Sequence, residues 1–432
     1  MSAFRYEETL NYLYNQLPMF SRIGAAAYKK DLTNTLALCN NLSNPQKKFK
    51  SIHVAGTNGK GSCSHFLASI FQEAGYKTGL YTSPHIHDFR ERIRVNGKMA
   101  EKEFVVEFVD NIKPFSEKIQ PSFFELTVAM AFEYFAKEKV DIAVIETGLG
   151  GRLDSTNIIN PELSLITNIG FDHMNMLGDS LEKIAGEKAG IIKNNTPVVI
   201  GQHHAETDPV FIQTSKEKNA ELIFAEDEWK FLKQDNGLFY FFDRQRNEEV
   251  KINSGLPGAY QRFNLPAVLV AVEQMNKAGW QITETAVIDG IANVSTNTGI
   301  EGRWQKIHSN PDIILDVAHN EDGIKQVIHQ LTTEYPNSRW HFVMGFVNDK
   351  PLDKVLKLFP STAGYYFTQA QIPRALSGHD LMLQAAAFNL KGNTYAHVNE
   401  ALDEAKANAS SNDVILVCGS FFVIAEVEIT RL

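Results

Sequence analysis

Ser51-Ile52-His53-Val54-Ala55-Gly56-Thr57-Asn58-Gly59-Lys60-Gly61-Ser62 is a β-branched apolar run that ends in a glycine-rich turn, a lysine and a hydroxyl, and helix-compatible sequence follows to about Ala74. Read as a phosphate cradle, its glycines let backbone N–H groups converge on phosphate oxygens while the helix offers its positive end. Lys60 would neutralise β/γ charge, and Ser62 would reach a magnesium ion. Gly61, between lysine and hydroxyl, departs from the strict G-x-x-x-x-G-K-[ST] spacing. The competing reading is a tight strand-to-helix turn with an incidental lysine.

Outward from this stretch, short apolar runs alternate with helical spacing. Residues 78–82, 142–146, 163–167 and 198–200 read as strands, and 101–115, 122–139 and 180–192 as helices. Strands apolar on both faces and separated by helices imply a doubly wound parallel α/β sheet, with ligands gathering at the carboxyl ends of its strands. Residues 4–40 are helical in spacing. Asp235-Asn236-Gly237, between aromatic and charged runs within 221–252, predicts a β-hairpin or small meander. A helix over 260–278 follows, and a second βα series starts near Arg303, with strands at 313–317, 341–344, 365–368 and 414–417. The polar stretch 294–302 is the expected boundary, giving domains over 1–296 and 297–432.

The 432 residues call for two or three cores, and 44% hydrophobic with 22% charged residues fits a globular protein. A net charge of −9 argues against a general nucleic-acid or membrane-surface binder. Cys39, Cys63 and Cys418 are far apart, so neither a disulfide framework nor a structural zinc site is indicated. With no apolar core of signal-peptide length near Met1 and no membrane-span window, the expectation is a cytoplasmic enzyme or binding protein.

Three further strand ends carry reactive groups. Glu146 closes an apolar strand beside the phosphate loop, where a magnesium ligand is wanted; the bland account is a solvated terminus. His173 leaves another strand in Thr167-Asn168-Ile169-Gly170-Phe171-Asp172-His173, as a ligand or as a packing residue. Lys188, in Glu187-Lys188-Ala189-Gly190, is not at a strand end but in a helix among apolar neighbours, and could be a snorkelling surface lysine. In the second half, Asp316 and His319 end the run Ile313-Ile314-Leu315-Asp316-Val317-Ala318-His319-Asn320. Two βα domains with reactive strand ends suggest a reaction that joins two substrates.

These residues together resemble folylpolyglutamate synthase/dihydrofolate synthase, the folate branch of the Mur ligase superfamily. The likeness rests on 53–62, on Ser83-Pro84-His85 running to Glu91-Arg92-Ile93, on Glu146 with 148–154, and on Asp172-His173 and 187–190. It continues through Gln261-Arg262-Phe263-Asn264, Gly302-Arg303, 316–320, Asp349-Lys350 and Gly419-Ser420-Phe421. The resemblance implies a P-loop-containing ATPase domain with a parallel sheet, a smaller C-terminal Rossmann-like α/β domain that ligates glutamate, and an ATP- and Mg2+-dependent amide ligase. ATP would phosphorylate a carboxylate of dihydropteroate or a folate, and the amino group of L-glutamate would displace phosphate.

Carried over by position, Lys60 and the loop Gly56, Thr57, Asn58, Gly59, Gly61 and Ser62 would hold the phosphates, Asn264 would contact adenine, and Arg303 would contact the phosphates. Ser83, Glu146 and His173 would ligate magnesium. Lys188, carbamylated, would help bind a second ion, which requires a buried amine of lowered pKa. Asp316 and His319 would face nucleotide and glutamate. Ser83, Pro84, His85, Arg92, Phe123 and Phe124 would border the pterin pocket, where aromatic faces stack on the ring. Tyr260 stands where the family often has histidine, Glu301 where it has proline, and Gln305 where it has glutamate. Only small-molecule partners and a monomer are expected. The competing readings are a peptidoglycan-type Mur ligase, which carries an extra N-terminal domain, and a P-loop ATPase or switch without ligation.

Overall fold

The computed structural model describes residues 3–19, 22, 24, 31–235, 237–348 and 351–429; Asn236, Asp349 and Lys350 lie outside them. The chain divides into two compact units, one of Met1–Phe20, Ala25–Gly255 and Gln261–Ile300, the other of Ser21–Gly24, Leu256–Tyr260 and Glu301–Leu432.

The first unit is built on β1 (Lys50–Ala55), β2 (Thr78–Tyr81), β3 (Ile93–Val95), β4 (Lys98–Met99), β5 (Ile142–Glu146), β6 (Leu163–Ile166), β7 (Val198–Ile200) and β8 (Leu222–Phe224). They form one sheet in the order β4-β3-β2-β5-β1-β6-β7-β8, with β2, β5, β1, β6, β7 and β8 parallel. β5 is buried along its whole length, as its unbroken apolar run requires. Order reverses around β1, so its carboxyl end is the crevice where such sheets hold ligands. Helices Lys60–Glu73, Lys102–Ile119, Phe123–Glu138 and Leu181–Ala189 connect the strands. Phe123–Glu138 starts at a capping box: Ser122 Oγ accepts from Glu125 N (3.2 Å), and Ser122 N donates to Glu125 Oε2 (2.6 Å).

Two features depart from the sequence expectation. β3 and β4 form a hairpin through Asn96 (φ 46°) and Gly97 (φ 73°), the Asn-Gly pair favoured where both turn residues need positive φ. Residues 222–224 extend the large sheet after a helix at Asp208–Glu217 instead of opening the meander. The meander is a separate antiparallel sheet of β9 (Trp229–Asp235), β10 (Leu238–Asp243) and β11 (Glu248–Asn253). Helix Gln261–Lys277 follows.

The second unit holds β12 (Gln305–His308), β13 (Asp312–Leu315), β14 (Trp340–Met344), β15 (Gly364–Phe367), β16 (Gly392–Thr394) and β17 (Val414–Cys418). Their order is β12-β13-β17-β14-β15-β16, parallel apart from the edge strand β12. The core of this unit gathers Phe342, Tyr365, Phe367, Leu381 and Leu416. Among the described residues, no helix is long and apolar enough to cross a membrane. The three cysteines are buried free thiols.

Candidate active site

The 56–62 loop leaves the carboxyl end of β1 with Gly56 at φ 150° and Gly59 at φ 84°. A Cβ on Gly56 would meet Thr167 Oγ1 at 1.8 Å, and one on Gly59 would meet Asn264 Oδ1 at 2.2 Å, so both positions demand glycine. The exit of β6 braces the loop. Thr57 N donates to Asn168 O (3.0 Å), Asn58 N to Asn168 Oδ1 (2.8 Å), and Gly170 N to Thr57 Oγ1 (3.0 Å). Gly59→Ala combines about 1–2 kcal/mol of left-handed strain with that Asn264 clash. ADP affinity, measured by calorimetry, is expected to fall by roughly tenfold or more.

Two lysines converge on one loop carbonyl. Lys60 Nζ donates to Gly56 O (3.1 Å) and Thr57 O (3.2 Å), and Lys188 Nζ donates to Gly56 O at 2.7 Å. Lys188 is only 3% exposed, which rules out the snorkelling account. Burial, and next the charge of Lys60, bring its amine down to about 7, partly opposed by Asp172 and Asp154. Its helix is held close because Arg152 N donates to Glu187 O (2.7 Å), where a Cβ on Gly151 would not fit.

Glu146, 4% exposed, ends β5 opposite Val54 of β1, and its Oε2 accepts from Ser83 N at 3.1 Å. Ser83 and Glu146 thus come together beside the loop, and a hydroxyl with a carboxylate suits a hard divalent cation. His173 follows Asp172 in the left-handed region (φ 50°), its N donating to Asp172 Oδ1 (2.8 Å) at the start of the short helix Met174–Leu177. Among the described residues, no group of three His, Cys, Asp or Glu could hold a metal.

The loop after β2 is organised by Glu91, whose carboxylate accepts from Ile86 N (2.8 Å), His87 N (2.8 Å) and Asp88 N (2.7 Å). The Ser83–Pro84 peptide is cis. Buried Arg92 lies 5.3 Å over the Phe123 ring and donates from Nε to His85 Nδ1 (2.8 Å). Burial and the Arg92 charge press the His85 pKa down to about 3. Tyr14 completes this aromatic group, its ring 6.2 Å from that of His85 and 5.8 Å from that of Phe123. Phe124 instead packs on Gly148 and near Tyr81. Sequence reasoning missed Tyr14, a surface-spaced helical tyrosine by pattern. It gave no role to Asp154, the last residue of the 148–154 stretch, which is buried and accepts from Leu149 N (2.8 Å) and Thr156 Oγ1 (2.6 Å); burial raises its pKa.

Asn264 is buried on its helix and donates from Nδ2 to Gln261 Oε1 at 2.8 Å. Gln261 Nε2 in turn reaches Ser62 Oγ at 3.4 Å.

In the second unit, Asp316 lies just past β13 and is fully engaged. Its Oδ2 accepts from Tyr260 OH (2.7 Å) and Trp304 N (2.9 Å), and its Oδ1 from Ala318 N (2.9 Å). Burial raises its pKa against these donors. Tyr260, the departure at a histidine position, therefore supplies a hydroxyl donor to Asp316. His319 Nδ1 donates to Val317 O (2.9 Å), and its ring lies 6.3 Å from that of Phe421; the Arg303 guanidinium sits 5.2 Å over the same Phe421 ring.

The chain has a phosphate loop on one parallel sheet and an engaged carboxylate at a strand end of a second α/β unit, and two family models place it in the Mur ligase class. The Mur ligase middle domain model matches residues 54–272, and the model of the Mur ligase glutamate ligase domain matches residues 302–421. The chain is 33% identical to the dihydrofolate synthase/folylpolyglutamate synthase of Bacillus subtilis (strain 168), over 98% of each chain. It is similar to the structure of E. coli FolC in complex with DHPP and ADP (TM-score 0.85, 30% identity, covering 97% of this chain and 96% of that one). It is similar also to the bifunctional folylpolyglutamate synthase/dihydrofolate synthase from Yersinia pestis complexed with AMPPNP and Mn ion (TM-score 0.82, 28% identity, 97% and 96% covered). The chain belongs to the dihydrofolate synthase/folylpolyglutamate synthase family.

Proposed function

We infer that this protein is an ATP-dependent ligase that joins L-glutamate to dihydropteroate, to folates or to both. The observation that carries the reading is the glycine-rich 56–62 loop at the carboxyl end of β1, with the Lys60 side chain held on it at Gly56 O and Thr57 O, a cradle shaped for phosphate.

A substrate carboxylate oxygen attacks the γ-phosphorus of ATP and ADP leaves. The amine of L-glutamate then attacks the acyl carbon, phosphate departs and the nitrogen loses its proton. Carboxylate is a poor electrophile, so the phosphoryl group is what makes the second step feasible. Phosphate oxygens and an attacking carboxylate repel each other, and fixed N–H groups with cations offset that repulsion. In this account residues 56–62 and Lys60 cradle the phosphates, Asn264 meets adenine, and Arg303 meets the phosphates. Ser83, Glu146 and His173 hold Mg2+, which supplies charge neutralisation when bound. Lys188 is the residue that carbon dioxide carbamylates: an amine with a pKa near 7 is neutral often enough to react. Asp316 and His319 orient nucleotide and glutamate. Pro84, His85, Arg92 and Phe123 line the pterin site. The protein acts as a monomer in the cytoplasm.

The deciding experiment measures ADP release with ATP, magnesium and L-glutamate, with dihydropteroate in one reaction and tetrahydrofolate in another. Turnover with both marks a bifunctional enzyme, and turnover with one fixes the branch. Silence with both, while ATP binds, overturns the ligase reading.

A further inference from the structure

Away from the phosphate loop, the first unit contains a pocket of about 480 Å3 lined by Arg152, Lys193, Lys218, Asn194, Thr196 and their neighbours. That volume suits a small ligand. Its wall includes Asn160, three residues before β6, and Thr196, two residues before β7. Both lie at the amino ends of parallel strands, whereas the phosphate loop leaves the carboxyl end of β1; Arg152, six residues past the carboxyl end of β5, and Ala189 and Gly190, next to Lys188, also line the pocket.

Three cations line it, and none of the described lining residues is acidic. Lys193 is anchored by donating to Asn157 O (2.9 Å), and Asn157 Nδ2 donates to both Arg152 O and Gly190 O (3.0 Å each). Gly190 permits this arrangement, since a Cβ there would fall 2.4 Å from Arg152 Cα. Arg152 is paired with Glu187 (2.8 Å), but no ion pair of Lys193 or Lys218 exists among the described residues. Burial, and next the charge of Lys218, hold the Lys193 amine down to about 8. Lys193, half-buried in a pocket with no acidic lining residue, holds its charge at a cost that an anion would relieve. Gly186 also lines the pocket. It sits inside helix Leu181–Ala189, where glycine weakens the helix relative to alanine, yet a Cβ there would meet nothing within 4 Å. A side chain at this position therefore has room to project along the pocket wall.

We propose that this pocket binds a small multivalent oxyanion, through phosphate or clustered carboxylate groups, on Lys193, Lys218 and Arg152. The chemistry has two sources: free inorganic phosphate, or a γ-linked oligoglutamate chain, the latter resting on the ligase reading above.

The test is calorimetric titration of inorganic phosphate, and separately of tri-γ-glutamate, into the full chain preloaded with ADP and magnesium to fill the phosphate loop. Wild type, Lys193→Gln/Lys218→Gln and Gly186→Leu are compared. Gly186→Leu narrows the pocket while improving helix propensity, so it keeps the test valid if the double variant fails to fold. At least one probe is expected to bind wild type in the millimolar range or tighter, to weaken with salt, and to bind each folded variant about tenfold or more weakly. Phosphate alone identifies the free ion, the peptide alone identifies the chain, and both together identify the shared chemistry. No binding to wild type, or equal binding to wild type and the folded variants, overturns the proposal. Failure to load ADP would register separately, against the ligase reading, because the pocket is assigned by the difference between variants.

Discussion

Glu146→Ala is expected to lower turnover by roughly two to four orders of magnitude while the fold survives. The side chain is buried at the end of β5 and accepts the Ser83 N–H, so its loss strands that donor at a stability cost of about 1–3 kcal/mol. That is small for two units with full cores. The chemical loss is larger because the carboxylate is the one anionic oxygen donor in the set Ser83, Glu146 and His173. His173→Ala should behave alike, with a smaller effect on melting, since its imidazole is partly exposed. ADP release under saturating substrates, followed beside thermal unfolding, separates the two effects. Near-normal turnover in both variants would sink the metal assignment.

Lys188→Met is expected to produce the second large loss in turnover, together with an opposite change in stability near neutral pH. The Lys188 amine has a pKa of about 7 in the folded chain and 10.5 when solvated. Between those values the unfolded state binds more protons, so wild-type stability rises with pH across that window. The slope is at most about 1.4 kcal/mol per pH unit from this one group, and it vanishes below pH 7, where both states are protonated. The methionine variant lacks that slope and should be the more stable protein at pH 7, because it buries no amine. Urea midpoints at a series of pH values without ligands check this, and parallel curves for the two proteins would refute it. In the wild type, added bicarbonate should raise turnover above pH 7, where the neutral amine is available; the variant should show no response.

The parallel sheets were legible because doubly buried strands are long apolar runs bounded by glycine and polar residues. β5 and β7 fall where that pattern puts them. The short edges were not: β4 has two residues and β16 three, too few for any periodicity. Only the pair Asn96-Gly97 could have marked the β3–β4 hairpin, through its need for positive φ. The helix Asp208–Glu217 was missed because its buried face amounts to little beyond Phe211 and Ser215, which turned a parallel crossover into an apparent meander. At the candidate site, loop chemistry announced itself in sequence, whereas the braces did not. Asn168 reaches the loop from 110 residues away, and Tyr14 joins His85 and Phe123 from the first helix. Contacts of that separation leave no trace in local spacing.

The bond from Arg92 to His85 has a consequence for the loop after β2. Because Nδ1 accepts from the guanidinium, the imidazole proton resides on Nε2, and with a pKa near 3 the ring stays uncharged from pH 5 to pH 8. Histidine ordinarily acts as an acidity sensor over that interval. Here it is a fixed dipole of one tautomer, so whatever this surface recognises is offered the same hydrogen-bond donor in a mildly acidic solution as in a mildly alkaline one.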